Sequence, residues 1–456
     1  MLTLARRAYL ISLTSISIAC LGSSRLASAA DWPQWFGTHR DGVWHEADLL
    51  DKFPAGGPQV LWRAPLGIGY AGPAVFGDRV YVMDLERATD EQGQRLRATR
   101  QGILGKERVH CLSAVDGHAI WKHEYDCPYT ISYPNGPRTT PTIDADRVYT
   151  LGAMGDLICF AADTGKVRWS KNLATAYKTE VPVWGYAGHP LIDGDILYCT
   201  VGGAGSAVVA LNKHSGEEVW KALSSDEIGY SPPMIYELAG KRQLVIWLSE
   251  ALYGLDLATG RKFWTHAYPE GVPPQRPAVN IVTVKKIDDM LFISSFYHGP
   301  MMIKVSPADE TSIVWKGNSN NAARPDGAHA VMASPVFKDG YGYAVGNQGD
   351  LRCFCVDTGE QLWQSYAAVT GRRADCGTVF IVPQDGRYVM FNDQGNLLFA
   401  SLSPAGYEEI DRAHVLDPDS AARGREVVWS HPAFARRCVF ARNDQEIICV
   451  SLARQS

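Results

Sequence analysis

Gly254-Leu255-Asp256-Leu257-Ala258-Thr259-Gly260-Arg261-Lys262-Phe263-Trp264 reads as the end of an apolar strand, a tight turn and a second strand that closes on tryptophan. The order is a small residue, glycine six positions on and tryptophan four further. The same order recurs at Cys111, Gly117, Trp121; Cys159, Gly165, Trp169; Ala210, Gly216, Trp220; and Cys353, Gly359, Trp363. A self-similar unit returning roughly every fifty residues is the mark of a repeat architecture and is read before any single motif. Each copy is a β-hairpin. In Leu157 to Ala161, Asp163-Thr164-Gly165 and the strand ending in Trp169, glycine supplies the positive φ of the turn while Asp and Thr bond neighbouring backbone groups. A position that is Cys, Ala or Gly by turns has to sit where strands crowd a neighbour, which makes Cys111, Cys159, Cys353 and Cys449 compact hydrophobes.

Upstream of each hairpin lies a second one, a Pro-led apolar strand, an Asp/Gly turn and another strand, clearest over 73–82, 141–151, 190–201 and 335–345. Four strands per unit make a propeller blade, whose tryptophan reaches across to the next. First strands fall at Pro73, Pro141, Pro190, Pro233, a degenerate one over Pro277 to Thr283, Pro335, another at Gly377 to Val382, and Pro432. The expected fold is all-β: an eight-bladed β-propeller of four-stranded antiparallel blades. The last unit has only three strands, and Gln59-Val60-Leu61-Trp62 offers the missing one, so the N-terminal strand closes the ring on the C-terminal blade. The docking tryptophans are then Trp62, Trp121, Trp169, Trp220, Trp264, Trp315 and Trp363. Unit five replaces the glycine turn before Trp315, and unit seven ends over 408–416 without a tryptophan.

The 456 residues are 46% hydrophobic and 20% charged, with 44 Lys+Arg against 49 Asp+Glu. That composition folds, and it lacks the basic face on which sequence-independent nucleic-acid binding depends. Residues 1–30 read as a secretory signal: Arg6 and Arg7, an apolar stretch from Ala8 to Leu21, and Ala27-Ser28-Ala29 before the cleavage point. Ser17-Ile18-Ala19-Cys20 approximates a lipid-attachment site, which leaves a lipid anchor at Cys20 as the alternative. No other stretch approaches membrane-spanning length. The division expected is 1–30 signal peptide, 31–57 N-terminal extended segment and 58–456 propeller, in an exported protein of the periplasm or the medium. Nine cysteines remain after the leader, an odd number, so disulfides do not organise the fold.

The repeat resembles the tryptophan-docking motif of pyrroloquinoline-quinone-like propellers, over roughly residues 58 to 453. The resemblance implies two kinds of relative: quinoprotein dehydrogenases, which oxidise alcohols or sugars, and the non-catalytic propeller of the outer-membrane β-barrel assembly lipoprotein. It does not choose between them. The adjacent Cys-Cys pair of the larger quinoproteins is missing, the nearest pair being Cys353 and Cys355. A quinone held with calcium would call on Glu180, Trp184, Asn318, Asn320, Asn321, Asp326 and Asp375 in long loops, which no motif assigns. Metalloprotease, hydrolase-elbow and phosphate-loop signatures are absent, and the histidines show no metal-ligand spacing. The expectation is therefore a non-catalytic scaffold for a protein or glycan partner, with a quinone-dependent oxidoreductase as the alternative. Recognition is expected where long loops enter the first strands, at Tyr70, Arg138, Tyr186, His189, Tyr230, Arg276, His329, Arg373, Asp375 and His431, an aromatic and basic ring at the channel mouth.

Overall fold

The computed structural model describes residues 30–94, 102–133, 135–269 and 275–454. The expected leader and the Cys20 site lie outside the described residues, apart from Ala30. Seven four-stranded antiparallel sheets follow one another along the described chain, over 74–126, 142–172, 191–222, 234–267, 285–316, 336–365 and 379–414, numbered here blades 1 to 7. Blade 8 joins Ala433–Ala435, Cys438–Arg442 and Glu446–Ser451 to Val60–Pro65 from the other end of the chain. This is an eight-bladed propeller whose ring is closed by the N-terminal strand. Trp62 stands opposite Cys449 and Arg63 opposite Ile448 in that closing ladder. A small hairpin, Ser420–Ala422 with Arg425–Val427, stands between blades 7 and 8. No helix among the described residues is long and apolar enough to cross a membrane.

The ladder explains the small residue of the repeat. Cys111 faces Trp121, Cys159 faces Trp169, Ala210 faces Trp220, Gly254 faces Trp264 and Cys353 faces Trp363, and a bulge follows each pair. A large side chain at that position would contest the space of the indole. From there six tryptophans cross to the next blade. Trp62, Trp121, Trp169, Trp220, Trp315 and Trp363 donate Nε1–H to carbonyls of Ala114, Ala162, Lys213, Leu257, Val356 and Ser403, at 2.6 to 3.1 Å. Five of these rings lie on the turn glycines Gly117, Gly165, Gly216, Gly260 and Gly359, where a β-carbon would overlap the indole.

Two expectations need correction. Trp264 makes no such crossing: its Nε1 donates 2.6 Å to Gln243 Oε1 within its own blade. Gly254 opposite it has no Cβ, so the indole folds back over that glycine, and the facing turn of blade 5, Ser306 to Glu310, has no glycine to receive it. The first strand of blade 5 is Lys285–Ile287, not Pro277 to Thr283. The earlier segment spends its polar groups on neighbours instead of a ladder, Asn280 Nδ2 on Trp247 O and the Thr283 amide on Ser334 Oγ.

Candidate ligand site at the channel mouth

The first strands surround a central channel, and residues 30–46 cross it. Trp32 exchanges backbone bonds with Val75 of blade 1, Pro33 O accepts from Ile143 of blade 2, and the Trp44 amide donates to Pro383 O of blade 7. Trp35 Nε1 donates to Thr283 Oγ1 beside blade 5. Arg40, 5% exposed, donates to the carbonyls of His189, Pro190 and Pro233 at blades 3 and 4. Burial lowers its guanidinium pKa to about 9. These carbonyls and Gln34 Oε1 take the terminal N–H groups, Nε is left without a partner, and no carboxylate among the described residues pairs the cation. Trp32, Phe36 and Trp44 are buried in this crossing segment, which turns the channel into a blind cavity of about 200 Å³.

The segments that lead into the first strands of all eight blades contribute residues to the lining of that cavity. In the six Pro-led blades the residue three before the proline faces inward: Tyr70, Arg138, Ala187, Tyr230, Met332 and Trp429. The residue one before it does so at Gly72, His189, Pro232 and His431. This is the two-residue alternation of extended chain running past the strand end. Four before the proline the outcome is mixed: Val331 lines the cavity while Tyr186 points the other way. Its ring is buried in the packing between blades and its hydroxyl donates to Val201 O.

Of the ten residues expected at the mouth, Tyr70, Arg138, His189, Tyr230 and His431 line the cavity, and Tyr186, Arg276, His329, Arg373 and Asp375 do not. Arg276 lies outside it, 2.6 Å from Glu180 and 3.8 Å from Glu227. His329 is buried against Gly299 and Phe296, while Arg373 and Asp375 are exposed on their loop. Alternation holds only next to a strand, and these residues sit further along loops that follow their own turns. The sequence reading missed Trp35, Tyr133, Arg423 and Trp429. Trp429 carries the signal that would have found it, an aromatic three before Pro432 like Tyr70 before Pro73.

The floor is an aromatic stack. Trp35 lies on His189 with ring centroids 4.0 Å apart and 9° between planes, and meets His431 edge-on at 4.9 Å. Each histidine turns Nδ1 to the backbone, with opposite sense. The Thr140 amide donates to His189 Nδ1 at 2.9 Å, so the proton of a neutral ring sits on Nε2. His431 Nδ1 lies 2.7 Å from Pro432 O and must donate, so its Nε2 is a bare acceptor. Burial keeps both neutral, lowering His431 to about 4 and His189 well below the usual value. Neither Nε2 has a hydrogen-bond partner among the described residues.

The walls are ring pairs. Trp184 stacks on Tyr230 at 5.2 Å, and Tyr70 lies 6.0 Å from Trp429. Trp429 Nε1 is a buried donor with no partner among the described residues. Arg138 sits over the Tyr70 ring at 5.6 Å and donates to the carbonyls of Gly136 and Tyr133. Arg423 joins it from the turn of the small hairpin, and no Asp or Glu lines the cavity. Burial also lowers the Arg138 pKa.

A calcium-bound quinone does not fit these walls. Calcium takes oxygen donors, chiefly carboxylates and amide carbonyls, and of the residues the sequence offered only Trp184 lines the cavity, while every oxygen donor lies elsewhere. Glu180 is paired with Arg276, Asp326 accepts from the Asn318 and Ser319 amides, and Asp375 is outside. No group of three His, Cys, Asp or Glu among the described residues could hold a metal.

Residues 105–334, from the third strand of blade 1 to the entry of blade 6, match a family model described as PQQ_2, outer membrane protein assembly factor BamB. The chain is 22% identical over 270 residues to outer membrane protein assembly factor BamB of Yersinia pestis, covering 58% of this chain and 65% of that protein. It is 24% identical over 264 residues to the protein of the same name from Moranella endobia, covering 55% and 63%. The match therefore spans less than two thirds of either relative's length. The crystal structure of BamB from Moraxella catarrhalis superposes with a TM-score of 0.52 at 16% identity, over 80% of this chain and 99% of that one, which supports the fold. The crossing segment, the first two strands of blade 1, blades 6 to 8 and the small hairpin lie outside the matched residues. With half of its length matched to the model, the chain belongs to the PQQ_2 propeller family, the family of outer membrane protein assembly factor BamB.

Proposed function

We propose that this chain is an exported, non-catalytic binding scaffold that presents its loop-rich channel mouth to a protein or glycan partner in the cell envelope. The observation that carries the reading is the blind, aromatic, cationic cavity: it offers stacking surfaces and guanidinium groups, and no nucleophile paired with a base lines it. Relatives named as outer membrane assembly factors support an envelope location, as does the signal-like leader. An anchor at Cys20 would tether the scaffold, and removal of the 1–30 leader would free it.

The test is site-specific cross-linking in envelope extracts. A photoreactive residue at Tyr133, on the exposed rim, captures a discrete partner, whereas the same group at Ile120, on the outer edge of blade 1, captures none. Equal capture at both positions sinks the reading of the mouth. Turnover of alcohols or sugars after adding the quinone with calcium sinks the non-catalytic part.

A further inference from the structure

We propose that the cavity takes a single acidic sugar, one ring carrying a carboxylate; this rests on the reading of the mouth as a binding site and names its ligand. Three independent features of the site meet in that chemistry. The walls are flat rings, Trp184 with Tyr230 and Tyr70 with Trp429, and such faces pack against the C–H face of a pyranose. Arg138 and Arg423 give the cavity positive charge with no acidic residue to cancel it, so a carboxylate is the matching group. The floor offers one donor, His189 Nε2–H, and one acceptor, His431 Nε2, each on a ring more than nine-tenths buried and without a partner among the described residues.

The other ligand classes leave something unmatched. A neutral sugar leaves the guanidiniums without a counter-charge. Sulfate brings acceptors and no donor for His431, and inorganic phosphate, whose P–OH could donate there, brings no C–H face for the ring walls. An aromatic acid stacks and pairs, and its carboxylate can accept from His189 Nε2–H, but it brings no donor for His431 Nε2. Sugar hydroxyls serve both, because each donates and accepts. The volume of about 200 Å³ is below the roughly 300–1,000 Å³ of sites for drug-sized ligands, so one ring enters and a chain does not. A free monosaccharide and the end residue of a polysaccharide share this chemistry.

Calorimetric titration of the whole mature protein with glucuronate, glucose and benzoate tests the assignment. Glucuronate is expected to bind at least ten-fold more tightly than either of the others, and Arg423→Gln, on an exposed turn, to erase its advantage over glucose. His431→Phe is expected to weaken both sugars and spare benzoate. A uronate oligomer competing at one end per chain identifies a terminal residue as the source, and failure of oligomers to compete identifies the free sugar. Equal affinity for glucuronate and glucose, or an unchanged preference in Arg423→Gln, overturns the inference. No sugar binding while rim cross-linking at Tyr133 still captures a partner also overturns it and leaves the scaffold reading standing; loss of both removes that reading as well.

Discussion

At the seam between blades 3 and 4, Trp220 crosses to the turn of the next blade, covers Gly260 and bonds Leu257 O at 3.0 Å. One seam further on, Trp264 turns back and spends its N–H on Gln243 of its own blade. Both indoles are buried, at 8% and 3% exposure, so the hydrophobic gain is similar and only the partner differs. Across the second seam Lys241 reaches Asp309 at 2.7 Å, the Tyr236 hydroxyl donates to Val284 O and the Ala239 amide to Asp289 Oδ1, beside an apolar cluster that holds Trp264 together with Leu291, Ile303 and Val305. Ion pairs span both seams, Arg242 to Asp193 at the first and Lys241 to Asp309 at the second, each at 2.7 Å, so two adjacent copies of one motif differ in where the indole spends its N–H.

Three substitutions probe that difference. The largest effect is expected from Trp220→Ala, which removes a buried ring and the crossing bond and should cost about 3 to 5 kcal/mol, read as a fall in the urea midpoint at constant slope. A loss below about 1 kcal/mol would contradict the packing assigned to this seam. Next comes Gly254→Ala. The backbone at Gly254 is not in the left-handed region, so any loss comes from the new β-carbon against the Trp264 indole and Gln243, about 1 to 3 kcal/mol. Blade 3 already carries Ala210 at the equivalent place. An unchanged midpoint would show that the missing β-carbon is not what turns Trp264 back. The smallest effect belongs to Lys241→Met, a half-exposed pair worth at most about 1 kcal/mol, and that loss should vanish in high salt, whereas the Trp220→Ala loss should not.

How far the sequence can be read follows the same division. The pattern of small residue, glycine and tryptophan is local, so blade count, turn placement and ring closure through Trp62 and Cys449 were legible. The Trp264 exception was written in two places that have to be read together, a glycine opposite the indole and a turn without glycine one blade later. At the mouth, Tyr70, Arg138, His189, Tyr230 and His431 were legible because they stand within three residues of a strand-leading proline. Arg276, His329, Arg373 and Asp375 sit deeper in long connections, where proximity in sequence says nothing about direction. Tyr186 stands four before its proline, as Val331 does, and only Val331 lines the cavity, so packing between blades and not parity decides that position.

The sequence by itself determined the repeat, the number of blades and the need for a strand from the N-terminus, because each depends on hydrogen bonding and side-chain volume within a few tens of residues. The tertiary structure alone decided that residues 30–46 close the channel, since that depends on bonds such as Arg40 to Pro190 O and Trp35 to Thr283, 150 and 248 positions apart. It also fixed opposite protonation on the two floor histidines. A ring nitrogen takes its role from whichever backbone group folding brings to it, an amide at His189 and a carbonyl at His431.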